Sequence, residues 1–195
     1  MGGKMAKFGK TYLMRIKGES PLVWNRQKKE LEDEKKALKK DQLNEWEEKN
    51  WRRKAEFNED GQVIIPNEWV KGAFIESCKR NRIVPHFATS KNQTYTSYVQ
   101  SCMFEVLDAV ADEKSLKYYG AYVGAQGKNS STKVWRVRPL VEKWDATIRF
   151  IDPFGRMEIK ELEDIATYAG LMVGIGDNRI NNFGRFDIVS IKEEK

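Results

Sequence analysis

Hydrophobic and polar positions change rhythm several times along this chain. From Tyr12 to Lys17 (YLMRIK) they alternate, which predicts a strand, and Gly18 to Pro21 closes it. Between Gln27 and Trp51 the text turns to helix formers without Gly or Pro. Leu31, Leu38, Leu43, Trp46 and Trp51 are too sparse there for a continuous core stripe. Glu32–Lys36 and Glu45–Lys49 are helical (i, i+4) pairs in the favourable order. With its flank to residue 57, the segment reads as a charged helical insertion, either a solvated face or a partner-contacting arm. An Asp60–Gly61 turn between two extended segments predicts a small hairpin, stopped by Pro66. Asn67 stands where an N-cap belongs, ahead of a helix from Glu68 to Arg80 whose Val70, Phe74 and Cys78 recur every four residues.

Tyr98 to Leu107 reads as a strand. Tyr118 to Gly127 and Thr132 to Arg138 read as the arms of a long hairpin, and Glu142 to Ile151 as a further strand ended by Asp152–Pro153. Glu158 to Ala169 carries one apolar helical face, and Gly170 sits at the position of a C-cap glycine. A glycine-rich loop leads to a last strand, Phe186 to Ile191. With insertions set aside, the order is strand, helix, strand, strand, helix, strand. That is an α+β chain with a ferredoxin-like or RNA-recognition core, a four-stranded antiparallel sheet with two helices on one face. The insertion at 27–57 falls between first strand and first helix. A basic hairpin at 114–141 protrudes between second and third strands, and residues 1–195 form one domain.

Composition narrows the partners. The chain has 195 residues, with 35 Lys and Arg against 29 Asp and Glu, a net charge of +6 and a pI near 9.2. A basic excess suits phosphate-bearing partners and says nothing of fold. Cys78 and Cys102 lack CxxC spacing and have a single histidine, His86, for company. They read as buried thiols in a reducing compartment rather than zinc ligands. No uncharged run reaches the roughly 18 residues of a membrane span. The N-terminus has no signal-peptide core, and Ala6 replaces the Ser or Thr that myristoylation requires. A cytoplasmic protein without membrane contact, cofactor or metal is expected.

The distribution of charge says more than its sum. Residues 26–54 mix 11 bases with 8 acids, whereas 114–141 holds Lys114, Lys117, Lys128, Lys133, Arg136 and Arg138 with no acid. Tyr118, Tyr119, Tyr122 and Trp135 are interleaved with them. Cations for phosphates and aromatics for bases are the components of single-strand recognition; the same aromatics also suit cross-strand packing. In the glycine-rich loop, Gly174, Gly176 and Gly184 accompany Arg179 and Arg185, with Asn178, Asn181 and Asn182 among them. That text suits a polyanion backbone, or a turn whose glycines serve close packing. It is no dinucleotide fingerprint, because the third glycine is missing and the loop follows a helix instead of opening one. Asp152 with Glu158 and Lys160 imitates a nuclease's Asp…Glu-x-Lys, but on a helix start rather than a strand. Carboxylate pairs for glycoside chemistry carry no recognisable frame, and His86 beside Pro85 reads as a loop residue.

Three stretches together resemble the RAMP superfamily, the repeat-associated proteins of CRISPR effector backbones. Gly61 to Ile75 (GQVIIPNEWVKGAFI) is similar to their strand ending Ile-Pro before a helix bearing Lys-Gly-Ala. Gly170 to Phe186 resembles their C-terminal glycine-rich loop, and Gly18 to Leu22 their first turn. The basic hairpin falls where their thumb protrudes. The resemblance implies a core that grips guide RNA and stacks head to tail. It nominates Lys71, Gly174, Gly176, Arg179, Gly184 and Arg185 for RNA contact. Asn67–Glu68–Trp69 departs from the family's Gly-Ser-Ser, and Asp33 lacks the context of a cleaving aspartate, so cleavage is not implied.

The sequence therefore predicts a non-enzymatic, single-stranded nucleic-acid-binding protein, RNA favoured and DNA possible, in a homo-oligomer or filament. The expected contacts are Lys71, the hairpin residues Lys128, Lys133, Trp135, Arg136 and Arg138, and the glycine-loop residues. The alternatives are a stand-alone, for instance phage-encoded, single-stranded DNA-binding or annealing protein, and a protein-interaction module.

Overall fold

A computed structural model describes residues 9–26, 28–90, 92–124 and 131–194. Its strands are β1 (Lys10–Gly18), β2 (Leu22–Val23), β3 (Gln62–Ile64), β4 (Met103–Val106), β5 (Ala109–Asp112), β6 (Lys117–Gly124), β7 (Lys133–Val141), β8 (Asp145–Asp152) and β9 (Phe186–Glu194). Its α-helices are α1 (Lys29–Lys36), α2 (Leu43–Asn50), α3 (Asn67–Asn81), α4 (Tyr95–Ser101) and α5 (Ile159–Tyr168). No helix among the described residues is long and apolar enough to cross a membrane.

Alternation in the core strands fixes the main layer. Tyr12, Met14 and Ile16 of β1, Ala146, Ile148 and Phe150 of β8, Phe104 of β4 and Phe186 of β9 all point to one face and are buried. That face meets Val70, Phe74 and Cys78 of α3 and Leu162, Ile165 and Ala166 of α5. The Ser77 hydroxyl donates to the Ile165 carbonyl at 2.9 Å, joining the two helices. The sheet runs β4-β8-β1-β9 with every pairing antiparallel. With α3 between β1 and β4 and α5 between β8 and β9, this is the ferredoxin-like order. The opposite face is polar, with Arg15–Asp145 at 3.2 Å and Arg149–Glu105 at 2.7 Å across strands.

A second sheet, β2-β7-β6, carries the hairpin, which pairs from Lys117↔Leu140 to Gly124↔Lys133. Several elements differ from the sequence expectations. Tyr98–Ser101 is the end of α4 rather than strand, because Tyr95, Val99 and Cys102 lie one helical turn apart and all bury. The expected hairpin before Pro66 is present but short: its arms meet at the Phe57↔Val63 bridge, and β3 pairs with β5 along its other edge. Asn67 does not cap α3: it is the helix's first residue, and its side chain accepts from the Val106 amide at 2.8 Å. Gly170 lies inside a π-helical turn, Ala169–Val173, and Gly174 at φ +74° ends it.

The charged insertion is two short helices, not one, and it is not a solvated arm. It docks on the open edge of β7. The Glu47 carboxylate accepts from the Val137 amide at 2.9 Å, and Lys54 Nζ donates to the Val137 carbonyl at 2.6 Å. An acid and a base of the insertion thus satisfy both edge groups of one strand residue, as a neighbouring strand would.

Candidate nucleic-acid interface

The hairpin is clamped between two partners because its faces alternate. Tyr118, Tyr122, Trp135 and Val137 face the insertion. The Trp135 indole N–H donates to Glu48 at 2.7 Å and the Tyr118 hydroxyl to the same carboxylate at 2.6 Å. Tyr118 also meets Trp51 edge-on at 6.0 Å, and Tyr122 packs on Trp135 at 5.0 Å. Glu47, only 1 % exposed, holds Lys35, Lys54 and Arg136, the last at 3.0 Å. Burial opposes the charge on Glu47, but the hydrogen bonds from Lys35, Lys54 and the Val137 amide outweigh it and hold its pKa at about 2. Burial pushes the Lys54 amine down despite Glu47.

The hairpin's other face meets the glycine-rich loop. Arg138, buried, donates through Nε to Asp177 at 2.6 Å, and the Asn178 amide donates to the Tyr119 hydroxyl at 3.2 Å. The Tyr119 and Phe183 rings stand 5.0 Å apart. The two basic stretches of the sequence therefore adjoin in space.

The loop's own backbone is largely occupied. The amides of Gly174, Ile175, Asp177 and Gly184 donate to Ala169, Gly184, Val23 and Pro21, at 2.8–2.9 Å. Gly184 has φ +69°, and a Cβ there would sit 1.8 Å from the Ile175 carbonyl oxygen. Gly174, Gly176 and Gly184 thus build a tight turn that locks the loop to the Pro21–Val23 segment. They do not offer those amides as an anion cradle.

What the turn presents is a groove of about 630 Å³ lined by Arg80, Met172, Asn178, Arg179, Ile180 and Arg185. Arg179 is exposed on a 3-10 turn, and beside it Ile180 is 70 % exposed. Arg80 comes from the last turn of α3 and is paired with Glu76 at 2.8 Å. Among the described residues, the Arg185 side chain reaches only the Arg179 carbonyl at 3.3 Å and the Asn182 side chain at 3.4 Å. Its Nη1 is buried with no hydrogen-bond partner among the described residues, as is Arg138 Nη1. Burial, then Arg80 and Arg179, lower the Arg185 pKa, so this guanidinium carries its charge against its surroundings.

The nominated residues therefore divide. Arg179 and Arg185 share the groove with Gly176, and Arg138 braces it from the hairpin through Asp177. Trp135 and Arg136 are engaged by Glu48 and Glu47, which leaves Tyr122, 68 % exposed, as the hairpin's open aromatic. Lys133 is exposed at the start of β7, and Lys128 lies outside the described residues. Lys71 stands apart from the groove, donating to the Cys102 carbonyl at 3.0 Å from the first turns of α3. Arg80 was missed; an arginine at a helix end gives no signal until the fold sets α3 beside the loop. The nuclease-like reading of Asp152 fails. Its carboxylate is fully buried and accepts from the Tyr98 hydroxyl and the Phe154 and Met157 amides at 2.6–3.0 Å.

Fold and groove together define an α+β chain with a ferredoxin-like core, an inserted helical pair and a clamped hairpin. Among solved structures, the chain is similar to one in the cryo-EM structure of the Type III-B Cmr-beta bound to cognate target RNA. The TM-score is 0.50 at 10% identity, over 96% of this chain, which spans 61% of that chain's length. The likeness is one of fold. No protein-family model and no curated protein matches.

Proposed function

We propose that the chain binds the backbone of a single-stranded nucleic acid, RNA in preference to DNA, at the Arg80–Arg179–Arg185 groove, and does not cleave it. The observation that carries this reading is Arg185, a partly buried guanidinium that shares the groove with Arg80 and Arg179 and is crowded by their charges. A phosphate in the groove relieves that repulsion and accepts charge-assisted hydrogen bonds of the stronger kind. Ile180 and Met172, both exposed at the rim, give apolar surface for a splayed base. The preference for RNA rests on the RAMP-like motifs and on a structural neighbour solved with target RNA. In this reading copies stack head to tail along the strand.

Fluorescence polarisation with single-stranded RNA, single-stranded DNA and duplex of one sequence tests the proposal. RNA is expected to bind tightest and duplex weakest. Tighter binding of the DNA strand makes the protein a single-strand DNA binder, and no binding at low salt overturns the proposal. Sizing with a long single strand checks the stacking, which predicts complexes growing with strand length.

A further inference from the structure

At the far end of α5 from the groove, the chain's one histidine meets two glutamates. His86 follows α3 on the connection to α4, Glu158 is the N-cap of α5 and Glu161 lies in its first turn. Candidate ligand atoms of the three lie within 4.8 Å of one another. Their hydrogen bonds make them unequal. Glu161 is fixed: it accepts the His86 amide at 3.0 Å through Oε1, and the Glu158 amide at 3.0 Å and His86 Nδ1 at 2.9 Å through Oε2. With a Glu161 oxygen 2.9 Å away, Nδ1 carries the ring proton, which leaves Nε2 as the imidazole's ligand atom.

That nitrogen stands 4.0 Å from Glu158 Oε1, too far for a hydrogen bond between them. Two ligand atoms on one tetrahedral zinc ion stand about 3.4 Å apart, given bonds of roughly 2.0–2.1 Å. Glu158, with its side chain 64 % exposed, closes the difference by rotating. A carboxylate holding the far nitrogen of a histidine is also the usual outer partner of a metal-bound imidazole. Beneath the site the buried Tyr95 hydroxyl faces the same Glu161 carboxylate, which adds to its fixed position.

We infer that His86 Nε2 and the Glu158 carboxylate form a surface site for a divalent transition cation, zinc above all, with Glu161 as the positioning residue and waters completing the coordination. One imidazole and one carboxylate favour zinc over magnesium, which prefers an all-oxygen shell. The site is independent of the nucleic-acid reading, since it shares no residue with the groove.

A single histidine makes the test direct, because its ring nitrogens need no assignment among others. In long-range ¹H–¹⁵N spectra at pH 7.5, the free protein should show the Nδ1–H tautomer. Zinc should then move the Nε2 signal, while magnesium leaves it in place. Calorimetry should show the zinc affinity falling at least tenfold in His86→Ala and in Glu158→Gln, and roughly tenfold in Glu161→Gln, as removal of an outer partner does. Both ligand side chains are at the surface, and circular dichroism verifies that the variants fold. An Nε2–H tautomer, an unmoved Nε2 under saturating zinc, or zinc binding unchanged in His86→Ala overturns the inference.

Discussion

Glu47 is the residue on which the insertion's position depends. It is buried, yet it binds three cations and a backbone amide, so its charge is fully answered. Breaking such a pair from one side leaves Lys54 buried with a charge and no counter-ion, which typically costs 3–5 kcal/mol. Glu47→Gln should therefore lower the unfolding free energy by about 3 kcal/mol in urea titration, whereas Glu47→Leu with Lys54→Met should recover most of the loss. The pH dependence follows from the depressed carboxyl. Its folded pKa of about 2 lies below the ordinary 4.5, so its contribution is complete above about pH 4.5 and fades as the pH falls towards 2. The wild-type melting temperature should drop more steeply across that interval than that of Glu47→Gln. Equal slopes would mean that the carboxylate is not held as described.

At the scale of elements, the glycine-rich turn and the hairpin act as one unit through Arg138–Asp177 and Tyr119–Asn178. The glycines of this turn serve packing and its arginines serve the groove. Gly184→Ala forces a left-handed backbone and a clash with Ile175, and should cost at least about 2 kcal/mol. Gly72, midway along α3, is the contrast, since a methyl group added there would meet no atom within 4 Å. Gly72→Ala should stabilise by up to about 1 kcal/mol through helix propensity alone. Thermal melts of the two variants shifting the same way would contradict this division of roles. Element order was legible in the sequence because β1, β8 and β9 alternate and α5 carries a clear apolar face. The end of α4 was not, since Tyr98 and Val99 suit a strand by local preference and only packing against the aromatic cluster of Tyr95, Phe87 and Phe154 makes them helical. Nor was the docking of α2 legible. A mixed-charge helix face looks the same whether water or a strand edge lies opposite.

Across the whole molecule, the charge distribution is re-sorted by folding. The acid-free hairpin looked like the principal cationic surface, yet Arg136 and Arg138 are answered by Glu47 and Asp177, and Lys117 by Glu142 at 2.6 Å. Those acids come from the insertion, the loop and the chain just beyond β7, so no window of sequence along the hairpin contains them. Arg179 and Arg185, which have no carboxylate partner among the described residues, lie instead where α3 ends beside the glycine-rich loop, next to Arg80 and its partner Glu76. Arg179 and Arg185 were legible from the loop's text, but Arg80 becomes their neighbour only through the α3–α5 packing that Ser77 cements. The central claim is that this groove holds phosphates, and the salt dependence of single-stranded RNA binding tests it most directly. For wild type and the Arg179→Ala, Arg185→Ala double variant, log K is measured against log salt concentration. Loss of two phosphate contacts should weaken binding at low salt and reduce the slope's magnitude by about 1.4, roughly 0.7 per contact on a single strand, with the melting temperature nearly unchanged. An unchanged affinity and slope in the double variant would contradict the account.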